Sequence, residues 1–180
     1  MKKYVFSDQD RALAESLASD RNMAKEARRL PDRIPSTDEW RNDRHYFGIL
    51  AEIAVTKIFH CPLDLKLYAV GDDGHDTILG NLKVEVKYTI HGMDSHLFIS
   101  NDRPMTADLF IFVIGDDKQM WIIGYASKDD FANAETKDLG NYGKPVKVIH
   151  ASKLNRIEDI LPEMKDVNAM DRKLDLADFM

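Results

Sequence analysis

The chain has 180 residues, 44% hydrophobic and 31% charged, enough for one domain that buries roughly 70% of its unfolded surface. Its 25 Lys and Arg against 31 Asp and Glu give a formal charge of −6, which argues against nonspecific coating of nucleic acid. No apolar run approaches the ~20 residues of a membrane-spanning helix, and MKKYVFSDQD has no signal-peptide core. The one cysteine, Cys61, excludes a disulfide framework and a cysteine-rich zinc module and fits a reducing compartment, so a cytoplasmic protein without a membrane partner is expected.

Ser7 to Leu30 reads as a surface helix: Ser7 or Asp8 caps it, good helix formers follow, and the apolar positions Leu13, Leu17, Met23, Ala24 and Ala27 are few. It ends on Arg28-Arg29, and Pro31 and Pro35 mark a connector. Trp40 to Phe59 reads as a second helix, with Phe47, Leu50, Ala51, Ala54, Val55 and Ile58 at i, i+3, i+4 spacing. Ile49 and Ile53 widen its apolar surface, which predicts a helix buried on most sides. Inside it stands one carboxylate, Glu52, with Gly48 one turn earlier on the same face. A lone buried carboxylate is costly unless it is paired or holds a cation; Arg44, His45 and Lys57 are near it in sequence.

From Leu65 the pattern turns to strands. Leu65–Val70 is followed by the turn Gly71-Asp72-Asp73-Gly74, and Asp76–Leu79 leads through the two-residue turn Gly80-Asn81 into Leu82–Ile90. In that last strand Leu82, Val84, Val86 and Tyr88 alternate with Lys83, Glu85, Lys87 and Thr89, which puts the two sets on opposite faces. His96–Ser100 is a further short strand, and Ala107–Ile114 is apolar enough to be buried on both faces. Gly115-Asp116-Asp117-Lys118 turns it into an antiparallel partner, Met120–Tyr125. Ser127 with Asp130 starts a short helix, 144–150 forms a strand, and Ser152–Leu161 forms a last helix. The order predicts an α/β domain around a mixed sheet, with an N-terminal helical extension (1–43), a core (44–161) and a polar tail (162–180).

The polar face of Leu82–Ile90 carries the chemistry. Glu85 and Lys87 project the same way with Cα atoms roughly 7 Å apart, and Asp76 stands across the hairpin, nine residues before Glu85. Carboxylates brought together repel, whereas a hard divalent cation turns them into ligands, and a neighbouring lysine can hold a water or offset charge on phosphorus. Asp73 is the alternative to Asp76 if the hairpin register differs, and Glu85 and Lys87 could simply be a solvated strand face.

Asp76, a spacer of eight residues and Glu85-Val86-Lys87, preceded by a helix bearing Glu52, resemble the PD-(D/E)XK nuclease superfamily. The stretch GDDGHDTILGNLKVEVKYT (71–89) is similar to the small nucleases of phage and other mobile elements, and the likeness spans about 44–126. His75 stands where that motif often has proline. The resemblance implies a restriction-endonuclease-like fold and a Mg²⁺-dependent DNA endonuclease or nickase, with Mn²⁺ as an alternative metal. It makes Asp76 and Glu85 the metal ligands, the Val86 carbonyl a further one, Lys87 the residue that positions the attacking water, and Glu52 a member or support of the metal shell. It also implies a homodimer, one active site per DNA strand.

Candidate phosphate contacts are Arg28, Arg29, Arg33, Arg41 and Arg44, from an N-terminal region whose 10 basic and 9 acidic residues over 1–44 leave it at +1, together with Lys83 and Arg103. Tyr88 alternates with the apolar set and is expected in the core, Cys61 reads as a small buried apolar residue, and His91 and His96 flank a loop in solvent. The terminal KLDLADFM is similar to peptides that dock on sliding clamps but lacks their glutamine; it is the candidate contact for a protein partner. The alternative from another class is a catalytically silent nucleic-acid- or protein-binding module on the same fold, or an accessory subunit of a larger complex.

Overall fold

The computed structural model describes residues 1–27, 38–65, 74–100, 104–138 and 144–160, with the side chains of 25–27 and 38–42 excepted. The strand expected at Leu65–Val70 and the tail lie outside these residues from 66 and from 161 onward.

A reciprocal cap opens the first helix, α1 (Asp8–Ala27). The Ser7 N–H and hydroxyl donate to Asp10 Oδ2 at 2.9 and 2.7 Å, and the Asp10 N–H donates to Ser7 Oγ at 3.2 Å. Tyr4 adds a third bond to that carboxylate at 3.1 Å. Three bonds to its charged form outweigh the cost of burial and hold Asp10 below the usual carboxylate range. The buried stripe of α1 is Ala14, Leu17 and Ala18, while Leu13 and Met23 are exposed. The helix therefore turns small residues inward, at the i, i+3, i+4 spacing of one face.

The second helix, α2 (Asp38–Phe59), is buried as its composition predicts: Ile49, Leu50, Ala51, Ile53, Ala54 and Val55 are all sealed from solvent. It packs against α1 on one side and against a five-stranded sheet on the other. That sheet runs in the order β1 (Lys2–Val5), β6 (Gln119–Ser127), β5 (Leu109–Gly115), β3 (Leu82–Thr89), β2 (Thr77–Leu79). The β3–β5 pairing is parallel and the others are antiparallel, so the sheet is mixed. The β5–β6 register shifts between Phe112 and Val113, where Ile123 of β6 is passed over.

A second, three-stranded antiparallel sheet of β4 (His96–Ser100), β8 (Val146–His150) and β7 (Glu135–Lys137) is also present. The central strand β5 serves two cores. Leu109, Ile111 and Val113 face the helices, whereas Phe110 and Phe112 pack with Leu97, Ile99, Ala126 and Phe131. Phe131 lies on α3 (Lys128–Ala132), which starts at the capping box Ser127–Asp130 read from the sequence.

Three features depart from expectation. Lys2–Val5 is a strand, unannounced because a short edge strand shows one face to solvent and lacks an alternating apolar set. Ser152–Leu161 is not a helix over its described part but two 3₁₀ turns, Ala151–Lys153 and Ile157–Asp159. Between them Asn155 exchanges backbone hydrogen bonds with Tyr125 (2.8 and 3.1 Å), a tertiary pairing that an α-helix there would forbid. His96 begins β4, as the expected strand His96–Ser100 has it, but is half-buried and edge-to-face with His150 at 5.0 Å rather than solvent-exposed. Tyr88 packs in the core as expected, stacked on Phe47 at 5.5 Å with its hydroxyl donating to the Gly115 carbonyl.

Phe110 is sealed between the sheets, 4.9 Å from the Phe131 ring. Phe110→Ala is expected to cost about 3–5 kcal/mol in urea unfolding, the sum of lost burial and the cavity left behind. A loss under about 1 kcal/mol would mean that the second sheet moves in to refill the space.

Candidate active site

The β2–β3 hairpin turns at Gly80, whose φ of +61° suits glycine, and pairs Thr77 with Val84 and Leu79 with Leu82. Asp76 is the residue just before β2. Its N–H donates to the Val84 carbonyl at 2.8 Å, and its Oδ2 accepts the Val86 N–H at 2.6 Å. The carboxylate thus takes over from the backbone where β2 begins and continues the ladder for one more bond. Because a strand residue's N–H and C=O point to the same edge, the Val86 carbonyl also points to this side, past the first residue of β2.

Val84 and Val86 belong to the helix-facing core, so the alternating Glu85 and Lys87 lie on the opposite face, beside Phe110 and Phe112 of β5. There Lys87 Nζ forms an ion pair with Glu85 Oε1. Glu52 approaches from α2, almost wholly buried at 7% exposure. Arg21 of α1 grips it in a fork, with Nη1 3.0 Å from Oε1 and Nη2 3.1 Å from Oε2, and Nη2 also donates to the Asp64 carbonyl at 3.2 Å. Burial works against the Arg21 charge, but Glu52, with Asp76 and Asp64 behind it, raises its pKa further.

Asp76 is pushed up to about 8. Burial is the largest cause, the Glu52 charge the next, and Glu85 adds to it; the Val86 N–H and Lys87 work the other way. Glu52 and Glu85 are therefore close enough to oppose the ionisation of Asp76, which favours a proton or a cation at that carboxylate.

The hairpin thus brings Asp76, Glu85, Val86 and Lys87 together, and Glu52 reaches Asp76 electrostatically through the helix layer. Arg44 and Gly48 precede Glu52 at four-residue intervals; Arg44 is half-buried, and a side chain at Gly48 would meet open space. Lys83 is exposed, with its backbone N–H on Asp108 Oδ2 at 2.8 Å. Arg28, Arg29, Arg33 and Arg103, the alternative acid Asp73 and the Arg41 side chain lie outside the described residues. Cys61 is half-buried, its thiol pushed up by burial, with the Thr77 hydroxyl 3.4 Å away.

Arg21 is the residue that sequence reasoning missed. Two signals pointed to it: a buried Glu52 requires a cation, and Arg21 shares the inner stripe of Ala14, Leu17 and Ala18.

Among the described residues no group of three or more His, Cys, Asp and Glu side chains is gathered into a metal cage. Two carboxylates and a backbone carbonyl, from Asp76, Glu85 and Val86, remain a suitable donor set for Mg²⁺, which takes few protein ligands and keeps several waters. A cavity of about 430 Å³ lies elsewhere, on the second sheet between His96, His150 and Lys153, with none of these acids in its wall. No family model, curated protein or solved structure matches the chain. No helix among the described residues is long and apolar enough to cross a membrane.

Two outcomes follow from the electrostatics. The folded Asp76 binds its proton up to about pH 8, whereas the unfolded group releases it near 3.9. Its contribution to stability is full below the unfolded value and is lost as pH rises from about 4 through about 8. In EDTA, the thermal midpoint should fall over that window and Asp76→Asn should flatten the fall; equal slopes in both proteins would refute it. Arg21→Ala leaves Glu52 buried without its fork and should cost on the order of 3 kcal/mol in denaturant unfolding.

Proposed function

We propose that the chain is a metal-dependent DNA endonuclease or nickase, a phosphodiester hydrolase on a restriction-endonuclease-like variant of this mixed α/β architecture. The observation that carries the reading is the hairpin: it sets Asp76 against the Glu85 strand at the point where β2 begins, with Lys87 on the Glu85 side chain. The resemblance of the same residues to the PD-(D/E)XK motif supports it independently of the geometry.

Asp76, Glu85 and the Val86 carbonyl would hold Mg²⁺ or Mn²⁺. When bound, the ion supplies positive charge for water activation and for the oxygens of the phosphodiester. The protein's own groups do the remaining work. Lys87 keeps its ammonium beside Glu85, where it holds the attacking water in line and offsets charge that develops on the phosphate. Glu52, held by Arg21, keeps negative charge behind Asp76 and so strengthens its demand for a cation. Phe110 and Phe112 give the polar side chains a firm wall. Arg44, Lys83 and the arginines at 28, 29, 33, 41 and 103 are the candidate phosphate contacts. Cutting both strands takes two such sites, so a homodimer in the cytoplasm, of a host cell if the gene is mobile, is the working unit.

A second reading rests on the same ion pairs. Glu85 is satisfied by Lys87 and Glu52 by Arg21, so the fold has internal counter-ions without any metal. On that reading the chain is a binding module for nucleic acid or protein, or an accessory subunit.

Incubation with plasmid and single-stranded DNA in Mg²⁺, Mn²⁺ or EDTA separates the two. Cleavage is expected with metal, none with EDTA, and at least a ~100-fold loss in Asp76→Ala and Lys87→Ala. Cleavage that survives EDTA or both substitutions sinks the mechanism. DNA binding without cleavage under every condition favours the module. In either case an acidic protein should bind weakly, with affinity falling early as salt rises.

A further inference from the structure

The carboxylates around Asp76 are not equivalent in what they still offer. Arg21 covers both oxygens of Glu52, at 3.0 and 3.1 Å, and is itself anchored by the Asp64 carbonyl at 3.2 Å. On the β3 side, Lys87 meets Oε1 of Glu85 and the Val86 N–H meets Oδ2 of Asp76. Glu85 Oε2 and Asp76 Oδ1 take no hydrogen bond from the described residues. One flank of the cluster therefore has open ligand oxygens, and the other is closed by a guanidinium.

Charge points the same way. Glu52, Asp76 and Glu85 supply three carboxylates, and the cationic side chains of Arg21 and Lys87 are placed on Glu52 and Glu85. One divalent cation can be held by the open oxygens of Asp76 and Glu85. A second would have to take Glu52 from a planar fork that matches its carboxylate and stays charged at any working pH.

We infer that Arg21 is a built-in counter-ion standing where a second metal would lie, so that the site takes a single divalent cation on Asp76 and Glu85. The inference rests on the metal-dependent reading above and adds to it the number of ions and the role of a residue outside the nuclease-like motif. Arg21 is a positioning residue: it acts through Glu52 and Asp76 and does not touch the reacting atoms.

The test is Mn²⁺ stoichiometry on the full chain, by calorimetry and by the electron paramagnetic resonance signal of free Mn²⁺, without reference to cleavage. One Mn²⁺ per wild-type chain is expected, two for Arg21→Ala, and one for Arg21→Lys, which keeps the charge. Glu52→Gln is expected to retain one, because Glu52 is not a direct ligand. Two Mn²⁺ in the wild type overturn the inference, as does a single one in an Arg21→Ala protein whose circular dichroism is native. If Arg21→Ala does not fold, Glu52→Gln decides: retained binding supports the inference and lost binding overturns it. A wild-type chain that binds no Mn²⁺ overturns the metal-dependent reading itself, a different result from a wrong count.

Discussion

The arrangement turns on one electrostatic constraint: two acids, Glu52 and Asp76, are enclosed by protein within range of each other's charge. Neither is stable there alone, because a buried carboxylate without compensation costs several kcal/mol. The fold answers with a guanidinium from α1, a backbone N–H from β3 and an ammonium from Lys87. They come from two separate stretches of chain, α1 and β3. Docking of α1 on α2 and closure of the β2–β3 hairpin are therefore bound up with the same small group of charges.

Surrounding structure makes that group rigid. The parallel pairing of β3 with β5 gives Glu85 and Lys87 aromatic neighbours on their own face and leaves Val84 and Val86 in the helical core. Strand β5 is buried on both faces, between α2 and the second sheet, so the polar residues of β3 stand beside a strand whose residues Leu109 to Val113 are all buried. A site held on such a scaffold keeps its geometry when charges on it change, which a metal-binding or proton-binding cluster requires.

The charge of −6 acquires a location in this structure. Part of the acidity lies inside, opposed by Arg21 and Lys87, and part is spent on local caps such as Asp10 and Asp130, each held by a serine at a helix start. Those acids do not repel a ligand in the way an acidic surface would. Net charge alone is therefore a poor guide to what this chain can approach.

Much was legible from sequence because it depends on local rules. The caps at Ser7 and Ser127, the all-round burial of α2, the Gly80 hairpin, and the opposite faces of Val84/Val86 and Glu85/Lys87 all follow from spacing and residue type within single elements or turns. The residue types of the candidate cluster, Asp76, Glu85 and Lys87, were legible for the same reason. What only the tertiary structure decided are contacts between distant segments: β1 on β6, the second sheet joining 96–100 with 146–150 and 135–137, the Asn155–Tyr125 bridge that displaces a C-terminal helix, and above all Arg21 on Glu52, 31 residues away. Periodicity tells which face of an element is buried. It cannot tell which cation will be brought to a buried acid, because that choice is made by how two helices pack.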